Sequence, residues 1–174
     1  MTKLDLRDHP PIDWPTFKQL ADKGVPAACL VRLTQVRIVA GTVAEDGLLN
    51  LDERGQPFLA FFEQAAHDVV FWNIGTGRLA TWQGRAFALG ADNIANATTY
   101  AFDNHLHIYP DALQWLAGGG RGIVVLSWRQ AFDMLRDAPR VAVAEALLPT
   151  YRAAMKARHL PELSVVVEKK RQAA

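Results

Sequence analysis

The feature of this chain that most constrains its fold is an uninterrupted apolar stretch at residues 123–126. It follows the glycine-rich segment 118–122 and precedes a helical pattern. A strand without polar residues has both faces covered, which is typical of strands in a sheet that is packed under helices. The stretch therefore predicts that the C-terminal half of the chain is built from layered helices and strands.

The rest of the C-terminal half continues this alternation. After the strand at 123–126 the pattern predicts a helix, a strand, a helix and a last strand, at residues 128–136, 141–143, 145–159 and 163–167. Strands separated by helices in this way pair in parallel and are joined by right-handed crossovers. The glycines at 118–120 follow a predicted helix at 110–117, so they are expected to end that helix and not to cradle a phosphate.

The N-terminal half has a different pattern. Asp13 can cap a helix at 14–21 that ends near Gly24, and the β-branched segment 27–43 predicts a long strand or a hairpin. Short aromatic strands separated by turns follow as far as Trp82. We therefore predict an α+β fold in one compact domain over residues 1–174, with an N-terminal antiparallel meander followed by βαβαβ units. An extended arm is expected at 1–12 and a basic tail at 168–174.

Charge and cysteine content limit the cellular compartment and the binding partners that we expect. The 174 residues include 19 Lys and Arg and 18 Asp and Glu, a net charge of +1, so no overall field favours nucleic acid or an anionic membrane. Cys29 is the single cysteine, and it has an apolar context typical of a reducing compartment. The charged N-terminus does not resemble a secretory signal, and no apolar stretch has the length of a membrane span. We expect a cytoplasmic protein.

One cluster has the composition of a metal site. His105 and His107 are two residues apart, so in an extended segment they point the same way, and Asp103 lies on the same face. Imidazole and carboxylate groups are ligands for zinc or iron. The remaining ligands would have to come from residues without a recognisable spacing, and Asp-Asn before a strand is also common turn chemistry. A divalent metal is thus a candidate cofactor, with an exposed polar strand face as the alternative.

Two residues follow predicted parallel strands, where ligands of α/β sheets usually bind. Ser127 and Glu145 are the weak catalytic candidates on this basis. Ser127 is equally well explained as a helix cap, and Glu145 as an acid in the first turn of a helix.

Macromolecular partners are predicted from two further patterns. A basic group on the C-terminal helix and tail makes nucleic-acid contact a candidate function, and its members are Arg152, Lys156, Arg158, Lys169, Lys170 and Arg171. The 5 Trp and 8 Phe residues are expected to lie mostly in the core, and the remainder would form an aromatic patch for a protein partner or for self-association.

A resemblance adds a biological setting. The segment 115–128, with Leu89-Gly90-Ala91-Asp92 upstream, resembles a class of small uncharacterised bacterial proteins, some of which are carried with phage or mobile-element genes. The resemblance covers about residues 68–145 and implies a prokaryotic cytoplasmic setting, with no activity to transfer. A toprim-type domain has a similar order of elements, but its magnesium site needs a glutamate and an Asp-x-Asp pair, where this chain has Ser127 and Glu145.

The leading hypothesis is a non-enzymatic module that binds a protein partner. The first alternative is a metal-dependent hydrolase of phosphoesters that uses Asp103, His105 and His107, and the second is a nucleic-acid-binding accessory protein that uses the basic C-terminal residues.

Overall fold

The helices and strands were located in a computed structural model, which describes residues 4–156. The helices are α1 (Trp14–Asp22), α2 (Ala27–Leu30), α3 (Ala112–Ala117), α4 (Ala131–Leu135) and α5 (Leu148–Ala154). The strands are β1 (Arg37–Val43), β2 (Leu49–Leu51), β3 (Gln56–Glu63), β4 (Asp68–Trp72), β5 (Leu79–Thr81), β6 (Ala88–Leu89), β7 (Leu106–Ile108), β8 (Val124–Val125) and β9 (Val141–Val143). Short 3-10 segments connect several of them.

The N-terminal half is an antiparallel sheet of five strands in the order β2-β1-β3-β4-β5. Its two edges approach each other, because Leu48 forms a parallel bridge with Thr81 and the Thr81 amide donates to the Gly47 carbonyl over 3.1 Å. The sheet therefore curls around its own apolar face. That face includes Val39, Phe58 and Phe71, and Leu4 and Leu6 pack against it.

The outer face of this sheet carries α1, α2 and α3. Leu59, Phe61 and Trp72 point to this side and pack with Leu20 of α1 and Trp115 of α3. The Phe61 and Trp115 rings meet edge to face with centroids 5.5 Å apart, a favoured geometry for aromatic pairs. The meander is thus covered on both sides, as continuous apolar stretches such as residues 58–62 require.

The predicted strand at 27–43 is correct only in its second half. Residues 27–35 form α2 and the 3-10 segment Val31–Gln35, and the strand begins at Arg37. Leu30, Leu33 and Val36 are buried. Their spacing of three residues fits a helical turn and not an alternating strand, so the helical period outweighs the β-branched composition.

The C-terminal half is organised around β7. Strand β9 pairs with it in parallel on one side, and Ile123 forms a parallel bridge with Ile108 on the other. Strand β8 continues from Ile123 and pairs in antiparallel with β6. Together with the N-terminal meander, this arrangement confirms the predicted α+β class, with parallel strands separated by helices in the second half.

The predicted arm and tail at the two ends of the chain are only partly covered by residues 4–156. Pro11 forms an antiparallel bridge with Arg37, and the Ile38 amide donates to the Pro10 carbonyl, so this part of the arm runs beside β1, after a 3-10 turn at Leu6–Asp8. The predicted strand at 163–167 and the basic tail at 168–174 lie outside the described residues.

Candidate functional site

The three predicted metal ligands lie at the start of β7. His105 and His107 are both exposed on either side of buried Leu106. The His107 ring stacks on Tyr109 with centroids 5.9 Å apart. Asp103 is instead engaged by Arg140, whose Nη1 donates to Asp103 Oδ1 over 2.6 Å. Within residues 4–156, no three His, Cys, Asp or Glu side chains form a group that could hold a metal ion, so the metal site stays a prediction.

Arg140 fixes the turn that precedes β7. Its Nη2 donates to the Tyr100 carbonyl over 2.6 Å while its Nη1 binds Asp103. The guanidinium therefore spans the turn from Tyr100 to Asp103 with two charge-assisted hydrogen bonds, which are stronger than neutral ones. Arg140 immediately precedes β9, so the turn is attached to the parallel sheet.

Phe102 is displayed by this turn. The φ angles of Phe102 and Asp103 are +54° and +63°, in the left-handed region that residues with a side chain rarely occupy. The Phe102 side chain is 98% exposed. We name the segment 100–103, together with Arg140, the Phe102 turn.

A mainly apolar cavity of about 610 Å³ lies on the same half of the molecule. We name it the Met134 pocket, and its lining residues are Gln64, Ala65, Ala66, Arg85, Phe87, Ala91, Asp92, Ile94, Ala95 and Met134. Met134 projects from α4 and is 44% exposed. The volume lies in the range of pockets that accept small ligands.

The Phe102 turn and the Met134 pocket are held in fixed positions by hydrogen bonds. The Tyr100 hydroxyl donates to the Ile94 carbonyl over 2.8 Å, and Ile94 lines the pocket. The Thr99 hydroxyl donates to the Asn93 carbonyl, also over 2.8 Å. Two hydrogen bonds thus connect residues 99–100, at the start of the turn, with residues 93–94 beside the pocket.

The two catalytic candidates do not form a hydrogen-bonded pair. Ser127 occupies the predicted cap position before the 3-10 turn Trp128–Gln130, but its side chain makes no capping hydrogen bond. Glu145 begins the 3-10 turn Glu145–Leu147 and is exposed. In the part of the chain that is described, nothing links the two side chains, and their catalytic role remains a prediction.

The nucleic-acid candidates fall at the end of the described chain. Arg152 lies on α5, Lys156 follows it, and both are exposed. Arg158, Lys169, Lys170 and Arg171 lie outside the described residues.

Two buried carboxyl groups were not singled out by the sequence. Asp68 is 1% exposed, and its two oxygens accept four backbone amides, from Val69, Gln83, Arg85 and Ala86, over 2.8–3.0 Å. Glu63 is 3% exposed and accepts the Gly90 amide over 2.6 Å. The burial of Glu63 can be predicted from its position in the strand. Glu63 lies two residues after buried Phe61 and so shares its face of β3.

A second cavity of about 280 Å³ lies between α1 and the hairpin of β4 and β5. Its polar wall is Asn73, whose Nδ2 donates to Gln56 Oε1 and to the Pro57 carbonyl. Its Oδ1 accepts from the Thr76 amide and hydroxyl. The Asn73 amide group is therefore used to hold the hairpin.

Comparison of the chain with protein-family models, with curated proteins and with solved structures gives no significant match. None of the helices in residues 4–156 combines the length and apolar character that a membrane crossing requires.

Proposed function

We propose that this protein is a non-enzymatic binding module that contacts a protein partner through the Phe102 turn. The observation that carries the proposal is a phenylalanine side chain 98% exposed to solvent on a turn whose backbone is energetically unfavourable. We further propose a bacterial cytoplasmic setting with a phage or mobile-element association, which the single cysteine and the sequence resemblance support.

The energetics of the turn support a role in contact. A residue other than glycine held in a sparsely populated backbone region costs on the order of 1–3 kcal/mol, and such outliers concentrate at functional sites. Here two consecutive residues are left-handed, and Arg140 holds both ends of the turn. This unfavourable backbone exposes the Phe102 ring to water. Exposed aromatic side chains that become buried on binding contribute much of the binding energy at protein interfaces.

Site-specific photocrosslinking in the full chain tests the proposal. A photoreactive phenylalanine analogue is placed at Phe102 and, as the control, at Trp14, which is 77% exposed on α1. We expect the Phe102 position to give a discrete protein adduct that the Trp14 position does not give. The purified partner should then bind the Phe102→Ala variant at least about 30-fold more weakly than the wild type, the cost of losing an interface hot spot. Equal adducts at both positions, or wild-type affinity of the variant, would refute the proposal.

The two alternative functions remain predictions with their own tests. A metal-dependent hydrolase requires stoichiometric metal in protein purified without an affinity tag, and this metal must disappear in the His105→Ala/His107→Ala double variant. A nucleic-acid-binding protein requires retention on DNA or RNA that weakens with salt and decreases when residues 168–174 are removed.

A further inference from the structure

We infer that the protein partner is a second copy of this chain, and that Phe102 of one copy enters the Met134 pocket of the next. The inference rests on the proposed function, because it identifies the partner of the same Phe102 turn. Each copy of the chain carries both an exposed aromatic knob, Phe102, and an apolar hole, the Met134 pocket, and Phe102 does not line that pocket.

The pocket has the shape and chemistry of an aromatic receptor. Its wall is formed by the Phe87 ring and by small or branched apolar side chains, including Ala91, Ile94 and Ala95. Met134 lies at its rim, and the flexible, polarizable methionine side chain makes favourable contacts with aromatic rings and adapts to their shape. A phenylalanine side chain would bury apolar area against these residues.

Phe102 cannot fill the pocket of its own molecule. A side chain that is 98% exposed touches almost nothing in its own chain. The hydrogen bonds from Tyr100 to Ile94 and from Thr99 to Asn93 hold the turn in its position relative to the pocket. The knob and the hole are therefore open at the same time, and a neighbouring copy can supply what each of them lacks.

The charges beside the two surfaces are complementary. Asp103 follows the aromatic knob, and its side chain is 95% exposed although it pairs with Arg140. Arg85 lines the pocket and is exposed, and in the described part of the chain no carboxylate forms an ion pair with it. The Asp92 carboxylate at the same pocket is already engaged by the Gln64 and Ala65 amides. Insertion of Phe102 would therefore bring an exposed carboxylate towards an arginine without a carboxylate partner.

Self-association of the purified full chain is measured by sedimentation velocity at concentrations up to about 1 mM, where even weak specific contacts are populated. We expect a concentration-dependent oligomer for the wild type. Phe102→Ala removes the knob and Ala95→Arg fills the hole at an exposed position, and each is expected to weaken association at least about 30-fold. Trp14→Ala is the matched control, since it removes an exposed aromatic side chain elsewhere and should leave association unchanged.

Mixing the two variants gives the decisive result. Phe102→Ala retains an intact hole and Ala95→Arg retains an intact knob, so an equimolar mixture should form a complex that neither variant forms alone. Arg85→Glu should weaken wild-type association about three- to fivefold, in the range of an exposed ion pair, whereas Arg78→Glu on the β4–β5 turn should not.

The outcomes separate this inference from the proposed function. A wild-type chain that is monomeric throughout the concentration range overturns the inference, as does a mixture of the two variants that stays monomeric while the wild type associates. If the photoreactive group at Phe102 nevertheless captures a different protein whose binding needs Phe102, the proposed function stands and only the second-copy partner is refuted. If neither self-association nor a Phe102-dependent adduct is found, both are refuted.

Discussion

Replacement of Glu63 by glutamine should make the stability of the protein less dependent on pH. The pKa of the Glu63 carboxyl group is raised from 4.5 to about 7. Burial is the main cause, the Gly90 amide that the carboxyl group accepts opposes the rise, and the nearby charge of Asp92 contributes to it. The folded protein therefore favours the neutral form of Glu63, while the unfolded chain ionises it at an ordinary pKa.

The sign of the effect follows from proton binding. Between pH 4.5 and about 7 the folded state holds a proton on Glu63 that the unfolded state has released, so the free energy of unfolding falls as the pH rises through this window. The difference between the two pKa values corresponds to about 3 kcal/mol, at about 1.4 kcal/mol for each pKa unit. Glutamine keeps an oxygen that can accept from the Gly90 amide but carries no charge.

Urea unfolding of the wild type and Glu63→Gln at about pH 5 and about pH 8 measures this difference. We expect the variant to gain about 2.5 kcal/mol relative to the wild type between the two pH values, because at pH 5 the unfolded wild type has already released part of the Glu63 proton. Glu53→Gln, a neutralisation at an exposed loop position, is the matched control and should show no such gain. If Glu63→Gln and the wild type differ by the same amount at both pH values, burial does not control this carboxyl group and the reasoning is refuted.

Three further substitutions test the packing and the turn. Asp68→Asn replaces one of two oxygens that together accept four backbone amides, which are buried or partly buried. It should lower the free energy of unfolding by about 3 kcal/mol in urea, the cost of leaving such donors unpaired. Gly122→Ala adds a Cβ that overlaps the His107 carbonyl oxygen at a positive φ, whereas Gly77→Ala has a positive φ and open space around it. The first should therefore lower the melting temperature clearly more than the second, whose cost is about 1 kcal/mol, and equal losses would contradict the close approach at Gly122. Arg140→Ala removes both hydrogen bonds across the Phe102 turn, so amide exchange and proteolysis at 100–103 should accelerate while β3 stays protected. Unchanged exchange at the turn would show that Arg140 does not hold it.

Local chemistry accounts for the elements that the sequence predicted well. Helix α1 begins after Asp13, whose carboxylate accepts the Thr16 amide over 3.0 Å, and the chain turns away at Gly24 with a φ of +89°. Both signals lie within a few residues of the helix they delimit. In the same way Asp111 caps α3 by accepting the Gln114 amide, and Gly118 ends it.

The Phe102 turn cannot be predicted from the sequence because it depends on a contact between distant residues. Its left-handed backbone is held by Arg140, which is 37 positions from Asp103, so no local pattern marks it. The sequence singles out Asp103 only beside His105 and His107, as a candidate metal ligand. The composition predicts that the aromatic residues lie mainly in the core. Position along the chain does not show that Phe102 differs from buried Phe61 or Phe71.

The central position of β3 has a consequence for how the chain reaches its fold. Residues 58–62 of this strand are all apolar, and a short uncharged segment of high strand propensity is prone to intermolecular aggregation when it is exposed. In the folded protein β1 and β4 pair with both sides of β3, while the edge positions are taken by strands of three residues, β2 and β5. Aggregation is thus suppressed only after the meander has closed, and refolding yield should depend on protein concentration most strongly in variants that weaken this closure.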